Sequence, residues 1–164
     1  MSMRRLVMTL STSLLVVLSV IFVHPTQAAA ACATETTGAI TATNGLVAFT
    51  LSKSSGSITS LQLHGHELLG HGGSAYWDMN DSAYGYFVLG SGDQANTTYS
   101  VTCPANGSSI DVAITHKGSS AEPMGISQHY VLQPGVPAIH LFTVISHSSS
   151  LGSDSIAQFR FVMR

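Results

Sequence analysis

Hydrophobic positions recur with a period of two along most of the chain. Val47, Phe49 and Leu51 alternate with Ala48 and Thr50, and Ile110, Val112 and Ile114 alternate with Asp111, Ala113 and Thr115. Ile126, Gln128, Tyr130 and Leu132 share one face of a further segment, and Ile139, Leu141, Thr143 and Ile145 share one face of the next. Phe159, Phe161 and Met163 alternate with Gln158, Arg160, Val162 and Arg164. Successive side chains of a strand point to opposite faces, so each segment reads as a β-strand with one face on a core. Turn residues fall between the segments. Ser54-Ser55-Gly56-Ser57 reads as a hairpin turn between strands near 46–53 and 58–64, and His64-Gly65-His66 closes the next turn. Gln133-Pro134-Gly135-Val136-Pro137 separates two strands, and a polar loop from Ser146 to Asp154 precedes the last. No long amphipathic helix and no internal repeat is found. The pattern predicts an all-β fold, an antiparallel β-sandwich.

The last strand reaches Phe161-Val162-Met163-Arg164 with no closing turn or polar tail. The sandwich is therefore expected to be incomplete at its C-terminal side. Missing neighbours would leave a sheet edge and apolar faces in water.

The first segment follows a different logic. Arg4 and Arg5 precede an apolar run from Leu6 to Val23, and Thr26-Gln27-Ala28 supplies small residues for cleavage. This order predicts a secretory signal peptide over residues 1–28, cut after Ala28 or Ala30. The alternative is an uncleaved anchor, since the run is nearly long enough to span a bilayer. Its Ser and Thr content and the His24-Pro25 break favour cleavage. Residues 29–164 then form one secreted, extracellular domain, with no membrane contact after cleavage.

Charge narrows the partners. Lys53, Lys117, Arg160 and Arg164 face a total of 8 Asp and Glu, so no basic face exists for nucleic acid. The chain has 2 cysteines, Cys32 and Cys103, and in an oxidising compartment a bridge between them is expected. Asn80, Asn96 and Asn106 each begin an Asn-x-Ser/Thr triplet, which in a secreted chain marks surface loops open to glycosylation.

Several residues have chemistry-bearing types. His64, His66 and His71 are close in sequence, but Gly65 and the turn reading favour exposed turn histidines over a metal site. Asp78, Asn80 and Asp81 place oxygens as the start of a calcium loop does, but Ala83 stands where an EF-hand needs Gly and no Glu closes the loop. Tyr76, Trp77, Tyr84, Tyr86 and Phe87 read as aromatics folded onto the sandwich or, alternatively, as a sugar-stacking platform. His116 and Lys117 suit acid–base work by type, yet adjacent strand residues point to opposite faces. No nucleophile elbow and no phosphate loop is found, and no cofactor is expected. Gln158, Arg160 and Arg164 share the polar face of the last strand, where a guanidinium fork suits a carboxylate or a structural ion pair.

Taken in order, three stretches resemble a known family. The run from Thr43 to Leu61, with Gly65-His66-Glu67-Leu68-Leu69-Gly70, is similar to the opening hairpin of rhamnogalacturonan lyases of polysaccharide lyase family 4. Gly125-Ile126-Ser127-Gln128-His129-Tyr130-Val131-Leu132, with Ile139-His140-Leu141-Phe142, resembles the next part of that domain, and Gln158-Phe159-Arg160-Phe161 with Arg164 resembles the strand after it. The resemblance implies an N-terminal β-sandwich of the galactose-mutarotase type. It implies an acidic plant cell-wall polysaccharide, the rhamnogalacturonan I backbone of pectin, cleaved by β-elimination at galacturonate. It places Arg160 in the substrate cleft. The family's base lysine and catalytic histidine come after this strand, beyond Arg164, so this chain by itself is expected to be inactive. The alternatives are a non-catalytic secreted carbohydrate-binding sandwich and a structural domain with no sugar partner.

Overall fold

The computed structural model describes residues 33–104 and 107–164. The signal-peptide segment, Cys32 and Asn106 lie outside the described residues. The described chain is built from antiparallel strands and one short 3-10 turn at Gln94–Asn96. The strands are β1 (Thr34–Glu35), β2 (Ala39–Thr43), β3 (Val47–Ser52), β4 (Ile58–Leu63), β5 (His66–Glu67) and β6 (Ala75–Asp81). They continue as β7 (Gly85–Val88), β8 (Thr97–Thr102), β9 (Ile110–His116), β10 (Met124–Leu132), β11 (Ile139–His147) and β12 (Ile156–Met163).

Two sheets face each other. One runs β1-β2-β3-β4-β6-β12, with β5 beside β4 and β7 beside β6; the other runs β11-β10-β9-β8. The period-two segments supply the facing layers. Ile40, Phe49, Leu51, Ile58, Trp77 and Met79 of the first sheet are buried against Val112, Ile114, Ile126, Tyr130 and Leu132 of the second. Phe49 and Tyr130 meet across the layer, with ring centroids 5.7 Å apart. Each such side chain contributes about 1.5–3 kcal/mol by leaving water. Gln128 shares the inner face, as its parity requires, and its amide is satisfied there by the Thr143 hydroxyl and the His129 carbonyl.

Local chemistry sets the turns. His64 and Gly65 both have positive φ, 51° and 79°, which suits a two-residue hairpin turn matched to strand twist. That geometry puts His64 and His66 in solvent. Asn44 ties the sheets at one end: its Oδ1 accepts from the amides of Leu46 and Val47, while its Nδ2 donates to the carbonyls of Gln133 and Val136. Cys103 is disulfide-bonded.

Residues 75–81 correct the loop reading of this region. They form an interior strand beside the edge strand β12, with Trp77 and Met79 inward and Tyr76, Asp78 and Asn80 on the opposite face. The inward residues are too few and too closely flanked by polar ones for the alternation to stand out. Asn80 is exposed, but it lies on this strand and not in a loop.

β12 pairs with β6 in the register Phe159↔Met79, Arg160↔Asp78, Phe161↔Trp77 and Val162↔Tyr76. A bulge between Ile156 and Gln158 shifts this register at its start. Phe161 reaches Tyr130 of the other sheet at 6.3 Å between centroids, and Phe159 stacks on Trp77 at 5.8 Å. The flank between β11 and β12 is nevertheless open. Leu141, Phe159 and Met163 occupy inner-face positions yet are 43%, 54% and 59% exposed. A cleft bounded by Leu61, Leu63, Leu68, Ile139, Phe161 and Met163 runs between the layers there.

Glu67 locks the β4–β5 hairpin. Its carboxylate accepts from the Ser60 hydroxyl at 2.6 Å and from the amides of Leu61 and Leu69 at 2.9 and 3.0 Å. The Ser60 bond first, then these amides, lower its pKa from 4.5 to about 2. A depressed carboxylate pKa stabilises the fold above the unfolded value, and the contribution is lost as pH falls from about 4.5 through about 2. An NMR titration of the Glu67 carboxyl should give a midpoint near 2, and Glu67→Gln should remove that part of the acid-side loss of stability. Gly56 provides a second test. It has φ +66°, and a Cβ there would sit 2.0 Å from the Leu89 carbonyl oxygen. Gly56→Ala should cost more than about 2 kcal/mol in urea unfolding.

Candidate functional site on the outer face of β6 and β12

The outer face of the β6–β12 pair gathers the polar residues of the last strand. Cross-strand partners share a face, so the register sets Arg160 beside Asp78, Val162 beside Tyr76, and Gln158 beside Asn80. The expected grouping of Gln158, Arg160 and Arg164 is thus present. Asp78 is the fixed point. It is 1% exposed, and its carboxylate takes the Arg160 Nε–H at 2.8 and 3.1 Å. Tyr86 from β7 donates its hydroxyl to Asp78 Oδ2 at 2.9 Å. This bond, with some burial, raises the Tyr86 phenol pKa, and the Asp78 contact likewise raises that of Arg160. Arg164 lies over the Tyr76 ring, 5.3 Å from its centroid, and donates to the Tyr76 hydroxyl. Two guanidinium groups and two phenols therefore line one face, with Arg160 held through Nε and its side chain 47% exposed.

The aromatic platform does not form as a unit. Trp77 and Phe87 belong to the core, and Tyr76 is 8% exposed. Tyr84 and Tyr86 face water, and Tyr84 packs edge-on to Phe87, at 88°. His71 is exposed like His64 and His66. His116 is fully buried, with Nε2 3.2 Å from Asp93 Oδ2, so it does not pair with Lys117 on a substrate. Asn96 is half-buried and donates to the same Asp93 oxygen at 2.8 Å. The Asp78-Asn80-Asp81 calcium loop is not formed either, because strand alternation sends Asp78 and Asp81 to opposite faces.

One arrangement escaped sequence reasoning. Ser127 Oγ lies 3.1 Å from His129 Nε2, and His129 Nδ1 lies 2.9 Å from Asp111 Oδ2. The imidazole also stacks on Phe142 at 4.3 Å. Asp111 is on β9 and the other two on β10, so only the strand register could reveal the cluster. Acyl transfer needs spare N–H donors aimed at an oxyanion. Ser127 pairs with Thr115 on one side and Val144 on the other, and the ladder of a central strand uses its amides. The arrangement orients a histidine without supplying that hole.

A double-mutant cycle can measure how firmly Asp78 holds Arg160. Because the guanidinium is half exposed, Asp78→Asn combined with Arg160→Gln should give a coupling no larger than that of an ordinary exposed ion pair in chemical denaturation.

No curated protein matches the chain. The model of the rhamnogalacturonate lyase family matches residues 20–164. The match spans the strands that carry Asp78, Tyr86, Arg160 and Arg164, and it relates the chain to pectin-degrading lyases. The chain belongs to the rhamnogalacturonate lyase family.

Proposed function

We propose that this chain is the substrate-binding sandwich of a secreted polysaccharide lyase, and that Arg160 engages a galacturonate carboxylate of the rhamnogalacturonan I backbone. Family membership supports the substrate class. The single observation that carries the site is the Asp78–Arg160 pair, which orients a half-exposed guanidinium beside Tyr86 on an open sheet face. Disulfide-bonded Cys103 supports an oxidising compartment.

The chemistry explains why a cation belongs there. Removing the proton at C5 of galacturonate builds negative charge on the adjacent carboxylate, and a fixed guanidinium stabilises it. A base must then take the proton before the O4 leaving group departs. Lys53 is tied to Glu35 at 2.6 Å, and Lys117 follows β9 in the other sheet. Neither stands on the β6–β12 face. Among the described residues, then, no lysine stands beside Arg160 to take the C5 proton, which supports a binding role for this sandwich.

Purified protein incubated with rhamnogalacturonan I should produce no new ultraviolet absorbance from unsaturated sugar. It should bind galacturonate-containing oligosaccharides of that backbone in calorimetry, and Arg160→Ala should weaken binding about tenfold, the loss of roughly 1.4 kcal/mol. Product absorbance would overturn the inactive reading. Unchanged affinity in a folded Arg160→Ala variant would remove Arg160 from the site.

A further inference from the structure

At the far end of β6, three carboxylates from three separate segments converge. Asp81 closes β6, Glu122 lies in the β9–β10 connection, and Asp154 precedes β12. One oxygen of each lies within 4.8 Å of the others. On each carboxylate one oxygen is held by donors. Asp81 Oδ1 accepts from the amides of Ala83 and Tyr84 at 2.9 and 2.6 Å. Glu122 Oε1 accepts from the Met124 amide at 2.9 Å. Asp154 Oδ1 accepts from the Ser82 hydroxyl at 2.7 Å and from the amides of Ser82, Ala83 and Ser155.

The second oxygen of each is what these bonds leave over. Asp81 Oδ2, Glu122 Oε2 and Asp154 Oδ2 are buried and have no hydrogen-bond partner among the described residues. Glu122 is 0% exposed and Asp81 is 7% exposed, so water does not satisfy them in bulk. Buried carboxylate oxygens with no donor are costly, and like charges this close repel. A hard cation resolves both costs. Oxygens bound to calcium at 2.3–2.6 Å can lie up to about 5 Å apart, in keeping with this spacing, and second-shell donors that fix each carboxylate are the usual companions of such ligands.

We propose that Asp81, Glu122 and Asp154 form a structural binding site for a divalent cation, with calcium the ion that fits. The site clasps the β6 end, the β9–β10 connection and the entry to β12, and so joins both sheets. It lies on residues other than those of the Arg160 face, and it stands whether or not that face binds sugar.

The test uses the chain freed of metal with a chelator and titrated with calcium chloride alone. Calorimetry should show saturable binding of one ion. Calcium at a hundred times the measured Kd should raise Tm by roughly 5–10 °C. Magnesium should bind at least about tenfold more weakly, because it demands a tighter octahedral shell. Glu122→Gln and Asp154→Asn should each abolish binding, and Arg160→Ala should leave it intact. If a carboxylate variant does not fold, the calcium titration of the unaltered chain decides alone. No binding heat and no Tm shift at millimolar calcium would overturn the proposal and assign the cluster to shared protons.

Discussion

The pairing of β12 with β6 is the constraint on which the remaining features depend. β6 lies between β4 and the edge strand β12 and presents two chemistries at once. Trp77 and Met79 fill the core, while Asp78 stands on the other face with almost no exposure. A buried carboxylate on a sheet needs a cation or donors, and only the register of β12 brings Arg160 opposite it. The same register drives Phe159 and Phe161 toward Trp77 and Tyr130. Sliding β12 by one residue would strand Asp78 and turn both phenylalanines to water together. Core packing and the polar face therefore select one alignment between them.

Much of this was legible in the chain. Period-two alternation located β3, β9, β10, β11 and β12, and turn residues marked the gaps between them. Parity alone grouped Gln158, Arg160 and Arg164 on one face. β6 was not legible as a strand, because its inward residues, Trp77 and Met79, are interleaved with Asp78, Asn80 and Asp81 and read as a polar loop. Partnerships across strands were not legible at all. Asp78 with Arg160, His129 with Asp111, and Asp81 with Glu122 and Asp154 join residues far apart in sequence. Alternation gives the face of a residue but carries no information about which strand lies beside it.

The polar features divide between the faces of the sheets. Arg160, Arg164, Tyr76 and Tyr86 line the outer face of β6, β7 and β12. The Ser127–His129–Asp111 relay lies on the outer face of the second sheet, locked into its ladder. Toward β11 and β12 the apolar inner faces leave a cleft between them. The cleft and the arginine face thus lie on opposite sides of the same strand. Whatever covers one does not obstruct the other.

The bulge between Ile156 and Gln158 separates the loop that enters β12 from the body of the strand, and the two serve different ends. Upstream of it, the chain is held by Asp154 at the carboxylate cluster; downstream, it is held by Asp78 and Trp77. A bulge accommodates one extra residue by bending the strand, and the pairing resumes beyond it. A change in loop length before Ile156 can be taken up there without rotating Arg160 off its face. The loop that carries Asp154 and the strand that carries Arg160 therefore meet at a point where the chain bends while the pairing beyond it is kept.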